Sequence, residues 1–303
     1  MKQKTVKAYA KINIALNVLN ASNGYHNLDT VVTTVNKYDV ITVKKRNDSN
    51  ILVTFTGKYG FIPLNQEETN AYKSAKLFIE TFNTLGADIE IIRNIPTGSG
   101  MGGSSADIVG VLGALKKLYK VEGKLKPIAD SLGSDAGYLL EGGYARLTSR
   151  GEVVNKINSQ LKLWFVVIYA QNGVNAKDCF SKFDVLNENG VVSDIESVVK
   201  GLESEDFTCF NNNIKNALTN SSMSLNEELQ VNLGEIKKLY PDYYGMTGSG
   251  STLFILYEHK EMAEWAYLTL KKKYNDNVEL LSSYNPEKPY IFDVIFDNLM
   301  PKD

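Results

Sequence analysis

The N-terminal segment alternates between apolar and polar side chains. The apolar residues occupy even positions: Val6, Ala8, Ala10, Ile12, Ile14, Leu16 and Val18. The residues between them are mostly polar: Lys7, Tyr9, Lys11, Asn13 and Asn17. A period of two residues predicts a β-strand with one buried face. Lys11 and Asn13 then project from the same side of the strand, and the pattern alone predicts that this polar side faces solvent.

Less regular apolar patterns predict the remaining elements. Strands are predicted at residues 31–35, 39–44, 51–56, 87–93, 163–169, 252–257 and 291–296. Helices are predicted at residues 67–82, 105–120 and 260–273, with a turn-rich stretch at 141–152 and a polar, largely helical region from 170 to 240. Because strands and helices alternate without regular βαβ spacing, we predict an α+β fold with a domain boundary near residue 155.

A glycine-rich segment separates the predicted strand at 87–93 from the helix at 105–120. It carries four glycines and two serines: Gly98, Gly100, Gly102, Gly103, Ser104 and Ser105. Glycine lets the backbone approach a ligand closely because no Cβ intervenes. The start of a helix presents unpaired N–H groups and about half a positive charge. Phosphate binding is therefore the first hypothesis for this segment.

Other interpretations of the glycine-rich segment compete with phosphate binding. The spacing Gly98-x-Gly100-x-x-Gly103 also matches the dinucleotide fingerprint, and Glu122 follows at about the expected ~20 residues. That fingerprint requires the turn directly after a strand, whereas residues 94–97 intervene, and Glu122 ends a helix rather than a second strand. A P-loop is excluded because no Gly-Lys pair is followed by Ser or Thr. A flexible loop with a serine cap stays open as the plain alternative.

The composition fits two ordinary globular domains. The chain has 303 residues, of which 43% are hydrophobic, and 33 Lys and Arg against 35 Asp and Glu give a formal net charge of -2. This balance offers no basic face for a polyanion, so we expect no nucleic-acid partner. The N-terminus lacks the apolar core of a signal peptide, and no segment approaches ~20 uninterrupted apolar residues. We therefore expect a cytoplasmic protein with no membrane partner.

Four short segments follow one another along the chain in a specific order. They are residues 8–13 (Ala-Tyr-Ala-Lys-Ile-Asn), the loop at 96–105, residues 132–137 (Leu-Gly-Ser-Asp-Ala-Gly) and residues 246–250 (Met-Thr-Gly-Ser-Gly). In this order and spacing the chain resembles the GHMP small-molecule kinases over nearly its whole length. A fifth segment, Gly-Tyr-His-Asn-Leu at residues 24–28, makes it most similar to those members that phosphorylate 4-diphosphocytidyl-2-C-methylerythritol.

The resemblance implies a two-domain GHMP kinase fold. The N-terminal domain, residues 1–155, would contain a left-handed βαβ unit, and the C-terminal domain, residues 156–303, would be ferredoxin-like. The cofactors would be ATP and Mg²⁺, and the small-molecule partner a CDP-linked polyol, bound between the domains of a monomer or weak homodimer. The residues implied to hold ATP are Pro96, Gly98, Ser99, Gly100, Met101, Gly102, Gly103, Ser104 and Ser105. Ser105, or Ser104, is implied as a protein ligand of Mg²⁺.

The same resemblance assigns catalytic roles to Lys11 and Asp135. Asp135 would take the proton from the acceptor hydroxyl or orient that hydroxyl, and Lys11 would keep the carboxylate ionised, since a nearby cation lowers the pKa of a carboxyl group. Taken alone, Asp135 also fits the N-cap of a helix at 136–140, and Lys11 fits a solvated strand face. The catalytic interpretation requires the two side chains to meet across one cleft.

Acceptor binding is implied for aromatic and polar residues far apart in the chain. Tyr25 and Phe180 match positions that stack on the two faces of cytosine in this family. His26 matches a histidine that hydrogen-bonds the base, and Asn13 lies on the acceptor side near the diphosphate. The second glycine loop contributes Gly248, Ser249 and Gly250.

Three positions depart from the family pattern and leave the acceptor open. Ser104 stands where the family has a glycine, Ala176 where it has a threonine, and residues 212–214 only approximate the usual Asn-Asp-Leu. The alternatives are another GHMP kinase, acting on mevalonate, homoserine or a sugar, and a catalytically silent relative that binds a nucleotide. An NAD-dependent oxidoreductase is the remotest alternative, because the glycine segment has the wrong context.

Overall fold

The structure, a computed structural model, describes residues 2–22, 24–210 and 213–285. The strands are β1 (Gln3–Ser22), β2 (Tyr25–Lys45), β3 (Ile51–Thr56), β4 (Ala87–Ile92), β5 (Tyr144–Ser149), β6 (Val153–Lys156), β7 (Trp164–Ile168), β8 (Tyr243–Met246), β9 (Leu253–Tyr257) and β10 (Val278–Ser282). The helices are α1 (Asn70–Phe82), α2 (Gly103–Tyr119), α3 (Lys126–Leu132), α4 (Ala136–Leu139), α5 (Ala176–Leu186), α6 (Ile195–Glu203), α7 (Thr219–Leu225), α8 (Glu228–Lys237) and α9 (Lys260–Tyr274). The predicted mixture of strands and helices in an α+β fold is confirmed.

The first sheet has six strands and belongs to the N-terminal half. Its order is β3-β4-β2-β5-β6, and β1 pairs with the long strand β2. β1 and β2 are antiparallel, whereas β3 and β4 are parallel and are connected through α1. These two strands and α1 form a βαβ unit, and its left-handed sense stays a prediction.

Helix α2 packs across this sheet and carries the glycine-rich segment at its start. Every side chain from Ser105 to Leu115 is buried. Gly110 faces the sheet so closely that a Cβ there would lie 2.3 Å from Ile41 Cδ1 and 3.0 Å from Ala8 Cβ. Glycine at this position therefore lets α2 lie directly on β1 and β2, which fixes where its N-terminus opens relative to β1.

The second sheet has four antiparallel strands in the order β10-β7-β9-β8. Helices α5 to α8 connect β7 to β8, and α9 connects β9 to β10. This is the βαββαβ arrangement of a ferredoxin-like domain, so the predicted topology is confirmed. β6 ends at Lys156 and β7 begins at Trp164, and the division at residues 155 and 156 stays a prediction.

The two sheets are joined through β2 and β10. Val35 and Ser283 form an isolated antiparallel bridge. The buried Lys37 forms an ion pair with Glu279, with 2.7 Å between Nζ and Oε2. Backbone pairing and an ion pair thus hold the two sheets together at this place.

Several predicted boundaries were wrong. The strands predicted at 31–35 and 39–44 are one continuous strand, β2, and the turn-rich stretch at 141–152 contains strand β5. The helix predicted at 67–82 begins only at Asn70, after a short 3-10 turn at Gln66–Glu68. Strand β10 was not predicted, and the strand predicted at 291–296 lies outside the described residues. Within the described residues, none of the helices combines the length and apolar character that crossing a bilayer requires.

Candidate active site

Lys11 and Asp135 meet beside the start of α2. Lys11 projects from β1, Asp135 directly precedes α4, and 3.4 Å separates Lys11 Nζ from Asp135 Oδ2. Lys11 is only 4% exposed, so the prediction that the polar side of β1 faces solvent was wrong. Asp135 occupies the N-cap position of α4, but its side chain makes no capping hydrogen bond. Its carboxylate is therefore available to a ligand in the cleft.

Asn13 holds the Lys11 ammonium in place. Lys11 Nζ donates a hydrogen bond to Asn13 Oδ1, and Asn13 Nδ2 donates to Thr30 Oγ1 at 2.9 Å. The backbone N–H of Asn13 donates to Thr247 Oγ1 at 3.0 Å, which ties β1 to the second glycine loop. Asn13 is itself 4% exposed, so this network is fixed by burial on the covered side of β1. A side chain expected near the acceptor diphosphate thus also orients the cation.

The first glycine loop, residues 98–105, supplies backbone groups at the N-terminus of α2. Gly98, Gly100 and Gly102 all have positive φ angles, of 65°, 72° and 77°. Gly102 is the N-cap of α2, and no side chain caps the helix, so the alternative of a serine cap was wrong. The first N–H groups of a helix have no intrahelical partner. They remain free to bind an anion such as a phosphate.

The other residues of this loop differ in where their side chains lie. Met101 is buried in the core, and its carbonyl oxygen accepts a hydrogen bond from the Lys11 N–H at 3.0 Å. Pro96 and Ser99 are also buried. Ser104 is exposed at the start of α2, whereas Ser105 is buried. Met101 therefore contributes backbone rather than side chain to any ligand.

The second glycine loop, residues 247–251, lies against the first. The backbone N–H of Ser251 donates to Gly98 O at 3.1 Å, and Thr247 Oγ1 donates to Gly100 O at the same distance. A Cβ on Gly100 would lie 2.1 Å from Thr247 O. Only glycine at residue 100 allows the two loops to approach this closely.

The three acceptor residues predicted in the second glycine loop do not all face Lys11. A Cβ on Gly248 would lie 3.4 Å from Lys11 Nζ, so this residue borders the catalytic pair. The carbonyl oxygen of Ser249 instead accepts a hydrogen bond from Ser222 Oγ at 2.9 Å. Gly250 also faces Ser222, since a Cβ there would lie 2.5 Å from its Oγ. The loop thus places Gly248 next to Lys11, whereas Ser249 and Gly250 lie against Ser222 of α7.

The expected base-binding residues cluster at the surface between β2 and α5. The rings of His26 and Phe180 stack, with 5.5 Å between their centroids and 17° between their planes. His26 Nε2 lies 2.8 Å from Asp184 Oδ1, and its Nδ1 lies 3.3 Å from the carbonyl oxygen of Leu19. The structure therefore brings His26 and Phe180 together and holds the imidazole between two oxygen acceptors.

Tyr25 stands apart from that cluster and is 56% exposed. Its ring contacts the guanidinium of Arg150, whose Cζ lies 4.1 Å from the ring centroid. Sequence reasoning missed Arg150 and also Asp184. Asp184 follows Phe180 by four residues on α5, so helical spacing was a signal that could have found it.

Two further residues of the site were missed because their partners are remote in the chain. Thr247 bonds both β1 and the first glycine loop, as described above. Asn216 Nδ2 donates to the carbonyl oxygens of Met246 and Gly248, at 2.8 and 2.7 Å. Asn216 thereby supports the start of the second glycine loop.

The residues present fit a nucleotide better than a metal bound by protein alone. The positive φ angles of the first loop and the open start of α2 form a cradle for phosphates. The buried hydroxyl of Ser105 faces the segment that carries Asp135, since a Cβ on Gly133 would lie 3.2 Å from its Oγ. In the described part of the chain, no three His, Cys, Asp or Glu side chains group into a metal site. Mg²⁺ usually binds through phosphates with few protein ligands, so the donor set is compatible with it.

Comparison with known proteins agrees with this geometry. Residues 70–145, which contain the first glycine loop, the start of α2 and Asp135, match the GHMP kinases N terminal domain. A 4-diphosphocytidyl-2-C-methyl-D-erythritol kinase from Clostridium beijerinckii is 33% identical over 89% of this chain and 97% of that protein. One from Clostridium perfringens is 34% identical over 89% of this chain and 94% of its own length.

Solved structures agree as well. A crystal structure of 4-(cytidine 5'-diphospho)-2C-methyl-D-erythritol kinase, 26% identical, superposes with a TM-score of 0.75 over 92% of this chain and 99% of that one. A homoserine kinase from Cytophaga hutchinsonii, 20% identical, has a TM-score of 0.68 over 95% and 96% of the two chains and shows the shared fold. The chain belongs to the GHMP kinases, within the group of the 4-diphosphocytidyl-2-C-methyl-D-erythritol kinases. It is therefore an ATP-using phosphotransferase with a hydroxyl group as acceptor.

Proposed function

We propose that this kinase transfers the γ-phosphoryl group of ATP to a hydroxyl of 4-diphosphocytidyl-2-C-methyl-D-erythritol, in non-mevalonate isoprenoid synthesis. The names of the relatives at 33% and 34% identity support this acceptor. The observation that carries the proposal is the contact of Lys11 with Asp135 at 3.4 Å, beside the start of α2. A lysine and a carboxylate at this place supply the two charges that transfer to an alcohol needs.

Asp135 and Lys11 divide the work at the reacting hydroxyl. The carboxylate of Asp135 accepts the proton of the acceptor hydroxyl or orients that hydroxyl. The hydroxyl oxygen then bonds to the γ-phosphorus of ATP, and the bond between the γ-phosphorus and the ADP oxygen breaks. The Lys11 ammonium stabilises the negative charge on the transferred group. Its hydrogen bond to Asn13 keeps the ammonium directed toward Asp135. Phosphoryl transfer gains mostly from positioning and charge neutralisation, and these residues provide both.

Residues 98–105 hold the phosphates of ATP in this proposal. The N–H groups at the start of α2 and the positive end of its dipole attract the β- and γ-phosphates. Mg²⁺ would neutralise further negative charge, and the Ser105 hydroxyl is the proposed protein group that would hold it.

The cytosine of the acceptor is assigned to the surface around Tyr25 and Phe180. Aromatic rings stack on a flat base and favour a nucleotide-linked acceptor over mevalonate, homoserine or a sugar. Both ring nitrogens of His26 already face oxygen atoms. The hydrogen bonds that read the base are therefore assigned to the backbone of His26, and its ring to packing against Phe180.

Parallel assays of ADP formation test the acceptor. The enzyme is incubated with Mg-ATP and, separately, with 4-diphosphocytidyl-2-C-methyl-D-erythritol, mevalonate, homoserine and galactose. We expect turnover with the first compound alone. Activity only with an acceptor that lacks a base would overturn the assignment, and silence with all four would favour a nucleotide-binding relative without catalysis.

A further inference from the structure

A buried ion pair closes the base of the first glycine loop. Arg93 directly follows β4, and Asp107 lies in α2, so the chain between them contains the whole loop. Arg93 Nη2 donates a hydrogen bond to Asp107 Oδ2. Arg93 is 7% exposed and Asp107 is 2% exposed. The pair therefore joins the entry of the loop to its exit from inside the protein.

A second carboxylate fixes the entry of the same loop. Asp39 of β2 is fully buried, and its Oδ1 accepts hydrogen bonds from the backbone N–H groups of Asn94 and Ile95, at 2.6 and 2.8 Å. Arg93 Nη1 donates a hydrogen bond to Thr97 Oγ1 at 3.4 Å. Asp39 and Arg93 thus contact three successive positions of the loop entry, Asn94, Ile95 and Thr97.

The guanidinium of Arg93 is also held by aromatic rings. Its Cζ lies 5.0 Å from the centroid of Phe55 and 5.1 Å from that of Phe61. The two rings stack on each other at 4.5 Å. Cation–π contacts of this kind attract the guanidinium and limit its orientations. The donor groups of Arg93 are therefore aimed rather than mobile.

Stability alone does not account for this ion pair. Burying two charges costs solvation that their attraction seldom exceeds, and well-packed apolar residues often replace such pairs without loss. The cluster is also poorly saturated, because Asp39 Oδ2, Arg93 Nε and Asp107 Oδ1 have no hydrogen-bond partner within the described residues. The ion pair supplies a directional link between two backbone segments, which apolar side chains would not provide.

We propose that Arg93 and Asp107 are positioning residues for ATP, which fix the distance between the two ends of the first glycine loop and thus the orientation of its N–H groups. The inference rests on the proposed binding of ATP at this loop. The pair contacts neither the acceptor region at Tyr25 nor the catalytic pair. Its loss therefore weakens nucleotide binding and leaves acceptor binding unchanged.

Four variants of the full chain test the pair. Asp107→Asn removes one charge, Arg93→Lys keeps the charge with a shorter reach, and the double variant Arg93→Met with Asp107→Leu replaces the pair by apolar side chains. Asp88→Asn is the matched control, since Asp88 of β4 forms an exposed ion pair with Arg46 at 2.6 Å. Calorimetric titration with the non-hydrolysable β,γ-imido analogue of ATP gives Kd, thermal unfolding gives Tm, and steady-state assays give KM for each substrate.

We expect the double variant to keep a Tm near that of the wild type while its Kd for the analogue rises about tenfold or more. KM for ATP should rise in parallel and KM for the acceptor should stay constant. Arg93→Lys should retain most of the wild-type affinity for the ATP analogue, and Asp88→Asn should match the wild type. If the double variant does not fold, the two single variants are compared by Kd, Tm and KM. The inference then requires that Asp107→Asn binds the analogue more weakly than Arg93→Lys does.

The outcomes separate this inference from the proposed function. A wild-type enzyme that does not bind the analogue would refute ATP binding at the loop, and the inference with it. A wild-type enzyme that binds the analogue, with folded pair variants that bind it equally well, would refute only the positioning role. Equal increases in KM for both substrates would also refute it, since they indicate a general structural defect.

Discussion

Around Lys11 the candidate site combines a buried ammonium with backbone groups of two glycine loops, whereas around Tyr25 it lies at the surface. At the phosphate end, defined as Lys11, Asp135 and residues 98–105, β1 and both glycine loops are joined by hydrogen bonds of 3.0 to 3.1 Å. At the base end, defined as Tyr25, His26 and Phe180, Tyr25 is 56% exposed, and the His26 ring is held by stacking on Phe180 and by its contact with Asp184.

This difference indicates a division of labour. Groups that stabilise a transition state must be held in place before the substrate arrives, and burial provides that order. Groups that select a substrate need only contact the part of it that is remote from the reacting hydroxyl. An exposed aromatic ring can make such a contact without being fixed by neighbouring residues. We therefore expect substitutions at the phosphate end to change kcat or ATP binding, and substitutions at the base end to change acceptor binding.

The largest effect is expected from Asp135→Asn. The amide cannot accept the hydroxyl proton, so kcat should fall by about 10²- to 10⁴-fold, the usual contribution of general base catalysis. The Kd for an ATP analogue should change little, because Asp135 is not part of the loop at 98–105. Asp130→Asn, which affects an ion pair with Lys126 at 2.8 Å, is the matched control. A kcat near the wild-type value in Asp135→Asn would remove this residue from catalysis.

The next largest effect is expected from Gly100→Ala. Residue 100 has a φ of 72°, and the added Cβ would lie 2.1 Å from Thr247 O, so the two glycine loops must separate. Backbone strain of this kind costs about 1–3 kcal/mol, and we expect a lower Tm together with a higher KM for ATP. Gly234→Ala in α8 is the control, because a Cβ there meets nothing within 4 Å. Equal behaviour of the two variants would mean that the contact between the loops does not matter.

At the base end, Tyr25→Ala should raise KM for the acceptor. Stacking of an aromatic ring on a base contributes about 1–3 kcal/mol, which corresponds to a change of about 5- to 150-fold. We expect kcat at saturation and KM for ATP to remain near wild type. Tyr240→Ala removes a tyrosine that is 92% exposed and serves as the control. A loss of kcat without a change in KM would show that the two ends are not separate.

The smallest effect concerns the pH dependence of stability. Burial raises the pKa of Asp107 from 3.8 to about 7, against the opposing effect of Arg93. The folded protein then binds a proton between these pH values that the unfolded chain releases. This stabilisation is fully present below 3.8, the pKa of Asp107 in the unfolded chain, and is lost as the pH rises through about 7. The free energy of unfolding then falls by no more than about 1.4 kcal/mol per pH unit.

The comparison of wild type with Asp107→Asn isolates this contribution. Thermal or urea unfolding at several pH values between 5 and 8 should show that wild type loses stability relative to the variant as the pH rises. Parallel curves for the two proteins would contradict a raised pKa at Asp107.

Elements with a strict period were predictable, and elements stabilised from elsewhere in the fold were not. Strand β1 and helix α9 follow simple patterns of apolar positions, and both were found. Strand β2 was divided in the prediction because Lys37 interrupts its apolar pattern. Lys37 is tolerated in the strand because Glu279 of the second sheet pairs with it. Strand β5 was hidden by the turn residues that flank it.

The candidate site shows the same contrast. The first glycine loop was a candidate from its residue types and spacing alone, whereas Lys11 and Asp135 became candidates only through the resemblance of four ordered motifs to a kinase family. The burial of Lys11 was predicted wrongly, since a strand pattern cannot show what covers the polar face. Asn216 left no signal, and Thr247 was quoted only as part of the motif at 246–250, because their roles arise from hydrogen bonds to segments remote in the chain.

The sequence by itself predicted strand β1, helices α1, α2 and α9 and the membership in a kinase family, and it made phosphate binding the first hypothesis for the first glycine loop. Each of these depends on residue types at short separation, where backbone preference and periodicity act directly. Only the tertiary structure decided that both glycine loops cover β1, that Lys11 contacts Asp135 and that Arg93 and Asp107 close the loop. Those contacts join segments far apart in the chain, and their geometry is set by the packing of α2 and the two sheets rather than by local sequence.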